Sequence, residues 1–319
     1  MKTSKIEDLK PPTFEELKEF TLRSYVKLLK YLNKTYTIVP FCRIPREDIP
    51  YLILRHDIDV SLSSALKMAR IERKMGIKST YFVLFSSAFY NLFEGDSILI
   101  LNQISRLGHE IGLHYDPAQY KLYNKNPKKT LQIEIQLLEY FLGKKVYSIA
   151  RHGPWNRDPF AAIKRYINAN HPRFRTPSFI HDSDRAWTPV NDLIKLLNDP
   201  PRRVQLLIHP ENWQEDRISR EALLERFFRD LEKRNLELKK RIKRIWQTDP
   251  LAIKYDALIE RGPIEICFQE NRNKMKKQNK LREALNYYNN LFRWYLINTS
   301  LGWNIHRLRE IVQKKLSSP

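Results

Sequence analysis

The sequence predicts an α/β fold, in which strands and helices alternate to form a mostly parallel sheet or barrel, followed by a basic helical region. Three observations predict it. Short apolar segments with strand character recur through residues 50–213, and a segment with helical spacing of apolar residues follows most of them. Ionisable side chains follow several of these strands. Residues 214–319, in contrast, contain long amphipathic stretches and few strand signals.

Residues 1–49 form a leader with one predicted helix. The stretch "TFEELKEFTLRSYVKLLKYLNK" (13–34) has apolar residues at helical spacing, and Thr13 with Glu16 three residues later fits a capping box. The next stretch, "TYTIVPF" (35–41), is interpreted as a strand or an extended segment. We expect this leader to pack on the barrel.

The central region, 50–213, alternates between strands and helices. The predicted strands are "YLILRH" (51–56), "STYFVLF" (79–85), "HEIGLH" (109–114), "KVYSIA" (145–150), "RTPSFI" (175–180) and "RRVQLLIH" (202–209). The predicted helices are 61–76, 96–108, 128–143, 158–170 and 190–199, with Gly76, Gly108 and Gly143 at three of their ends. Strand–helix alternation at this pitch indicates βα units and a mostly parallel sheet.

The C-terminal region, 214–319, is predicted to be basic and mainly helical. A long amphipathic helix is predicted at 219–246 and one or two more within 274–316, while "PIEICF" (263–268) is the main strand candidate. Three roles stay open for this region. The alternatives are a cap over the barrel mouth, an oligomerisation element, and a basic surface that binds anionic lipid or a lipid-linked glycan.

Composition narrows the class of protein and its partners. The net charge of +21 favours contact with polyanions, although a lysine-rich composition explains it equally well. No zinc-finger spacing, phosphate-binding loop or aromatic RNA-binding signature occurs, which disfavours nucleic acid as the partner. Two distant cysteines, no signal-peptide core and no long apolar run predict a cytoplasmic protein, with peripheral contact to an anionic membrane as an open alternative. The oligomeric state is not predicted.

Polar side chains gather at or just after the ends of the predicted strands. The residues are His56, Asp57, Asp59, His109, His114, Arg151, His152, Asp182, Asp184 and His209. In parallel βα architectures, active sites lie at the carboxyl ends of the strands. The sequence therefore predicts one functional site at this end of the sheet.

The spacing of these residues indicates metal-assisted acid–base chemistry. Asp57 and Asp59 differ by two positions, so their side chains share one face of a strand. One carboxylate can bind a cation while the other acts as a base. His114 suits a metal, and His209 is a plausible general acid. By the same alternation, His56 points away from both aspartates.

The motifs resemble those of the NodB-like polysaccharide deacetylases, carbohydrate esterase family four. "LRHDIDVSLSSALKMARIERKMGIKSTYFVL" followed by "GHEIGLHYD" carries the resemblance, which extends over about residues 50–213. The first motif is similar to that of a divergent branch with an RHD-hydrophobic-D pattern, associated with surface-polysaccharide biosynthesis. The resemblance implies a distorted, incomplete (β/α) barrel. It also implies a carbohydrate substrate and metal-dependent removal of an acetyl group from a sugar, usually with zinc.

The resemblance also implies roles for individual residues. Asp57 matches the catalytic base that activates water, and Asp59 and His114 match two metal ligands. Arg151, in "ARHGPW", resembles the arginine that pairs with the base.

The last two motifs imply which residues serve as the general acid and its orienting partner. His209, in "LLIHPENW", matches the histidine that protonates the leaving group. Asp184, with Asp182 as the alternative, resembles the aspartate that orients this histidine.

The chain departs from the family pattern at one metal ligand. A second histidine is expected four residues after His114, where this sequence has Ala118. The candidates for the third ligand are Asp116, His152, His109 and His56, of which Asp116 and His152 rank first. The alternative is a catalytically inactive carbohydrate-binding or scaffold protein.

Overall fold

The computed structural model describes residues 10–46, 49–122, 126–153, 165–175 and 178–248. The chain divides into two compact units, residues 1–227 and 228–319. The predicted elements within 249–319 and most of the predicted helix at 158–170 lie outside the described residues.

Eight parallel strands form one sheet in the first unit. They are β1 (Thr37–Val39), β2 (Tyr51–Ile58), β3 (Thr80–Leu84), β4 (Glu110–Tyr115), β5 (Ser148–Arg151), β6 (Ile167–Asn168), β7 (Ser178–His181) and β8 (Arg203–Ile208). The order is β6-β5-β4-β3-β2-β8-β7, and β1 pairs with the first half of β2. The sheet curls into a distorted, incomplete (β/α) barrel, as predicted.

Helices cover the outside of the curled sheet. They are α1 (Phe14–Lys18), α2 (Leu22–Thr35), α3 (Leu62–Lys74), α4 (Gly95–Arg106), α5 (Pro117–Leu122), α6 (Pro127–Leu142) and α7 (Val190–Asn198), and α8 (Arg220–Thr248) follows the barrel. One predicted helix is partly wrong, because Ile167–Asn168 pairs with β5 as a strand. No helix within the described part of the chain is long and apolar enough to cross a membrane.

The leader contains two helices rather than the single predicted one. Phe20 has φ +51°, a left-handed conformation that ends the first helix. Thr21 then caps the second helix by accepting a hydrogen bond from the backbone N–H of Ser24. The predicted Thr13–Glu16 capping box is present at α1. The leader packs on the barrel: the ring of Phe20 is buried between Trp187 and Trp213.

The inside of the barrel is closed at its floor by aromatic rings. Phe41, Phe82 and Phe174 pack against one another there, together with Ile53. Gly112 makes room for this floor, because a Cβ at that position would lie 2.5 Å from the ring of Phe82.

Candidate metal and catalytic site

The carboxyl ends of four strands bring the predicted polar residues together. β2 delivers Asp57 and the following Asp59, and β4 delivers His114. His152 directly follows β5, and His209 directly follows β8. Because these strands are parallel members of one curled sheet, residues as far apart in sequence as Asp57 and His209 share a single cavity.

Asp59, His114 and His152 form a cluster that could hold a metal ion, called here the mouth cluster. Oδ1 of Asp59 lies 3.4 Å from Nε2 of His114 and 3.3 Å from Nδ1 of His152. The two histidine nitrogens are 3.2 Å apart. Three ligand atoms on a near-equilateral triangle of this size match one face of a tetrahedron around zinc, whose bonds are about 2.0–2.2 Å.

The surroundings of the mouth cluster fit a cation as well. Nδ1 of His114 lies 3.1 Å from the carbonyl oxygen of Ala150, which favours the tautomer that leaves the Nε2 lone pair free for a metal. Oδ1 of Asp59 is buried, and no described donor reaches it with hydrogen-bond geometry. A buried carboxylate oxygen without a donor is costly, and a cation would remove that cost.

Asp57 is fixed and ionised by Arg55, two residues before it on the same strand face. The guanidinium donates from Nε to Oδ1 and from Nη2 to Oδ2 of Asp57, both over 2.7 Å. Burial alone would raise the pKa of Asp57, but the charges of Arg55 and His114 and the hydrogen bonds from Arg55 together outweigh it and lower the pKa. Arg55 makes both of these contacts, and the pairing of Arg151 with the base stays a prediction. The backbone N–H of Arg151 donates to Asn170 Oδ1.

Gln205 supports Arg55 from the neighbouring strand. Its Oε1 accepts a hydrogen bond from Nη1 of Arg55 (3.3 Å), and its Nε2 donates to the carbonyl oxygens of Ala169 (3.2 Å) and Phe174 (2.9 Å). These two carbonyls belong to the segment that follows the edge of the sheet at β6. Gln205 thus links β8 to this segment across the opening of the incomplete barrel. It also holds Arg55, which contacts Asp57.

His209 is oriented by Asp182, the alternative that the sequence left open, and not by Asp184. Nδ1 and the backbone N of His209 lie 2.7 and 2.9 Å from Oδ1 of Asp182. The indole of Trp213 donates to the other carboxylate oxygen over 2.8 Å. The prediction for Asp184 is wrong because its left-handed backbone turns the side chain outward. It is 84% exposed and lies 3.5 Å from Arg220.

The pairing with Asp182 favours the protonated form of His209. Burial opposes the charged imidazole, but the hydrogen bond and charge of Asp182, followed by the charge of Asp59, raise its pKa to about 10. Nε2 of His209 faces the mouth cluster, 3.7 Å from Oδ2 of Asp59. The cavity therefore places the carboxylate of Asp57 and the imidazole of His209 beside the mouth cluster.

The other candidates for the third ligand lie elsewhere. Asp116 is not one of the clustered residues, and its carboxylate accepts a hydrogen bond from the backbone N–H of Ala118 (2.8 Å), at the start of α5. His56 and His109 face the outer side of the sheet and lie near Glu72. Of the four candidates, only His152 joins Asp59 and His114.

Sequence reasoning missed three residues of the site. Arg55 was visible in the RHD motif, and its spacing of two from Asp57 was a usable signal. Gln205 gave no signal, since its role depends on the opening of the barrel. Glu211 is buried beside the site, where burial and then the charge of Asp59 raise its pKa to about 8.

Comparisons with known proteins add similarities to solved structures. No protein-family model and no curated protein matches the chain. The chain is similar to a CE4 family pseudoenzyme from Bacillus anthracis, with 15% identity and a TM-score of 0.36, over 63% of this chain and 66% of that one. It is also similar to the peptidoglycan deacetylase PdaC from Bacillus subtilis, with 15% identity and a TM-score of 0.36, over 60% and 97%.

A third similar structure is a family 4 acetyl xylan esterase from Clostridium thermocellum in complex with a cobalt ion. Its identity is 15% and its TM-score 0.31, over 57% of this chain and 84% of that one. The chain spans slightly less than two thirds of the pseudoenzyme's length. Because all three TM-scores are below 0.5, the assignment of the site rests on its own geometry and on the motifs.

Proposed function

We propose that the protein is a metal-dependent carbohydrate deacetylase, which hydrolyses an acetyl group from a sugar. The observation that carries the proposal is the mouth cluster, with Asp57 on one side and the His209–Asp182 pair on the other. A base, an acid and a cation-sized set of ligands around one cavity suit hydrolysis of an amide or ester.

The motif pattern alone left the metal site without a third ligand, because Ala118 stands where the family has a histidine. His152 supports a complete set, because its Nδ1 lies within 3.3 Å of both Asp59 and His114. An Asp–His–His set is a donor set that zinc accepts in hydrolases. The geometry thus favours an active metal site over the catalytically inactive alternative.

The residues of the chain divide the chemistry between them. Asp59, His114 and His152 would hold a divalent cation, which when bound would supply Lewis-acid chemistry to the carbonyl and the water. Asp57, kept ionised by Arg55, accepts a proton from the attacking water. His209, kept protonated by Asp182, donates a proton to the departing amine or alcohol of the sugar.

The biological setting stays a prediction. The resemblance to the RHD branch suggests surface-polysaccharide or glycolipid assembly, and the basic composition suits an anionic membrane surface or a lipid-linked glycan as a partner. Cytoplasmic location and the role of residues 214–319 are predictions of the same kind.

Metal binding and acetate release test the proposal together. Zinc or cobalt titrated into metal-free protein is expected to bind in a one-to-one ratio. Asp59→Ala and His152→Ala are each expected to weaken it by more than the roughly 10- to 100-fold typical of residues that only support ligands. Acetate release from N- and O-acetylated oligosaccharides is expected to be lost with the metal.

Asp116→Asn is the matched control, since asparagine keeps the hydrogen bond to Ala118 and removes a carboxylate next to the site. It is expected to leave metal affinity unchanged. If no divalent cation binds, or if Asp116→Asn weakens binding as much as His152→Ala, the assigned metal site is wrong. If metal binds and no acetylated sugar releases acetate, the hydrolase assignment fails.

A further inference from the structure

A cleft rich in arginine lies in the first compact unit, between the leader and the loop that follows β7. Its lining residues, called here the arginine cleft, are Lys18, Glu19, Phe20, Arg185, Arg217, Ile218, Ser219 and Arg220. The cavity has a volume of about 450 Å³, which is enough for a small anionic ligand. The reaction proposed above uses none of these residues.

The charges of the cleft are unbalanced, with four cations against the carboxylate of Glu19. Lys18 and Arg220 each have an acidic partner, Glu15 at 3.1 Å and Asp184 at 3.5 Å. Arg185 differs, because it is partly buried and its guanidinium lies 5.5 Å from the centroid of the Phe20 ring. Within the described part of the chain, no carboxylate pairs with it. Burial lowers the pKa of Arg185, as expected of a cation that is partly removed from water.

The backbone around the cleft is strained. Among the described residues, the non-glycine positions with left-handed φ are Phe20 (+51°), Asp184 (+56°) and Arg185 (+56°). Aspartate tolerates this conformation, but a bulky aromatic ring and an arginine rarely adopt it. All three positions line the cleft or adjoin it. Such strain is typically retained at ligand-binding sites, where the surrounding structure holds it in place.

The cleft also contacts the residues that orient His209. The ring of Phe20 packs 5.4 Å from that of Trp213, whose indole donates to Asp182. Arg185 belongs to the same short loop as Asp182, and its backbone N–H donates to the carbonyl oxygen of Asp182 over 3.0 Å. Phe20 contacts both Trp187 and Trp213, so a ligand bound at Arg185 and Phe20 would change the surroundings of these two indole rings.

We propose that the arginine cleft binds a phosphoryl group. The guanidinium groups of Arg185 and Arg217 line one cavity and have no carboxylate partner among the described residues. Arginine binds phosphate oxygens through the fork of its N–H donors, so these two side chains suit a phosphoryl group. The phosphoryl group comes from a soluble phosphorylated compound or from a lipid headgroup, since both present the same chemistry. This site does not depend on the proposed deacetylase activity.

The test is a titration of metal-free protein with pyrophosphate at physiological salt, followed by calorimetry and tryptophan fluorescence. Arg185→Asn removes the guanidinium, and asparagine tolerates left-handed φ, so the variant is expected to fold with an unchanged or higher melting temperature. Loss of one charge-assisted contact is expected to weaken binding by about tenfold or more. Arg217→Gln provides a second variant with an unstrained, exposed side chain, and its expected loss is smaller.

Arg173→Asn is the matched control. Arg173 also stacks over an aromatic ring, 4.4 Å from the centroid of Phe174, and it does not line the cleft. It is expected to leave the affinity unchanged, which separates a site from general attraction to a chain of net charge +21.

Vesicles of phosphatidylcholine with and without phosphatidic acid distinguish the two sources of phosphate. Arg185-dependent binding of pyrophosphate supports a soluble ligand, and Arg185-dependent binding only to the acidic vesicles supports a headgroup. The proposal is overturned if neither binds, or if Arg173→Asn weakens binding as much as Arg185→Asn. Zinc affinity, measured separately, decides the proposed function by itself.

Discussion

Strand β2 separates two clusters of histidine and carboxylate that have similar residue types and opposite environments. The mouth cluster lies on the inner face, where the side chains of Asp59 and His152 are 24% and 33% exposed. His56, Glu72 and His109 lie on the outer face, between the sheet and the helices, and form what we call the sealed cluster. His56 and Glu72 are completely buried, and His109 is 5% exposed.

The sealed cluster differs from the mouth cluster in how its carboxylate is satisfied. Oε1 of Glu72 accepts hydrogen bonds from the hydroxyls of Tyr25 (2.7 Å) and Tyr81 (2.9 Å), and Oε2 accepts one from Ser79 (2.5 Å). His56 lies 2.9 Å from Oε1. Oδ1 of Asp59 has no such donor among the described residues. Exposure and the lone Oδ1 of Asp59, rather than residue type, distinguish the mouth cluster from the sealed cluster.

The largest expected effect is the loss of turnover on substitution of Asp57, the neighbour of His56 on β2. Asp57→Asn removes the base and is expected to lower kcat by about 10²- to 10⁴-fold, the usual contribution of a positioned acid or base. Metal affinity is expected to stay near the wild-type value, because Asp57 is not in the mouth cluster. Acetate release and metal titration on the same preparation measure both.

His56→Phe is the matched change on the opposite face, since it keeps a ring stacked on Tyr81, now 4.3 Å away. Turnover is expected to stay close to that of the wild type. A loss of kcat equal to that of Asp57→Asn would contradict the separation of the two faces.

The next largest effect is on stability. Glu72→Ala is expected to cost about 3–5 kcal/mol of the free energy of unfolding, because it removes the carboxylate from buried partners. Asp59→Ala in metal-free protein is expected to cost less, since this carboxyl is partly exposed. Urea denaturation of both variants provides the measurement. Equal losses would show that the mouth cluster is as structural as the sealed one.

The smallest effect appears only with pH. Burial opposes ionisation of Glu72, but His56, His109 and Ser79 outweigh it and lower its pKa from 4.5 to about 2. Because the folded state binds this proton less tightly than the unfolded state does, the stabilisation is complete above pH 4.5 and is lost as the pH falls toward 2.

Glu72→Gln is expected to remove this dependence, so that its stability changes less than that of the wild type between pH 5 and pH 2. Denaturation curves across that range give the difference, which is about 3 kcal/mol for a shift of this size. Parallel curves for wild type and variant would mean that Glu72 is not the titrating group.

Much of the architecture followed from the sequence by itself. Apolar strands and amphipathic helices alternate, and this periodicity predicted the parallel sheet because buried strands and half-buried helices differ in spacing. Alternation along β2 likewise placed Asp57 and Asp59 on one face and His56 on the other. The apolar run Leu-Leu-Ile directly before His209 was enough to predict that this histidine lies at the end of a strand.

The tertiary structure alone decided which residues meet. His152 joins Asp59 because β5 and β2 curl toward each other, and Asp182 replaces Asp184 because a left-handed turn points the latter outward. Arg55 contacts Asp57 because one strand face brings the two within 2.7 Å. Such contacts depend on the curvature of the sheet and on loop conformations, which local periodicity does not encode.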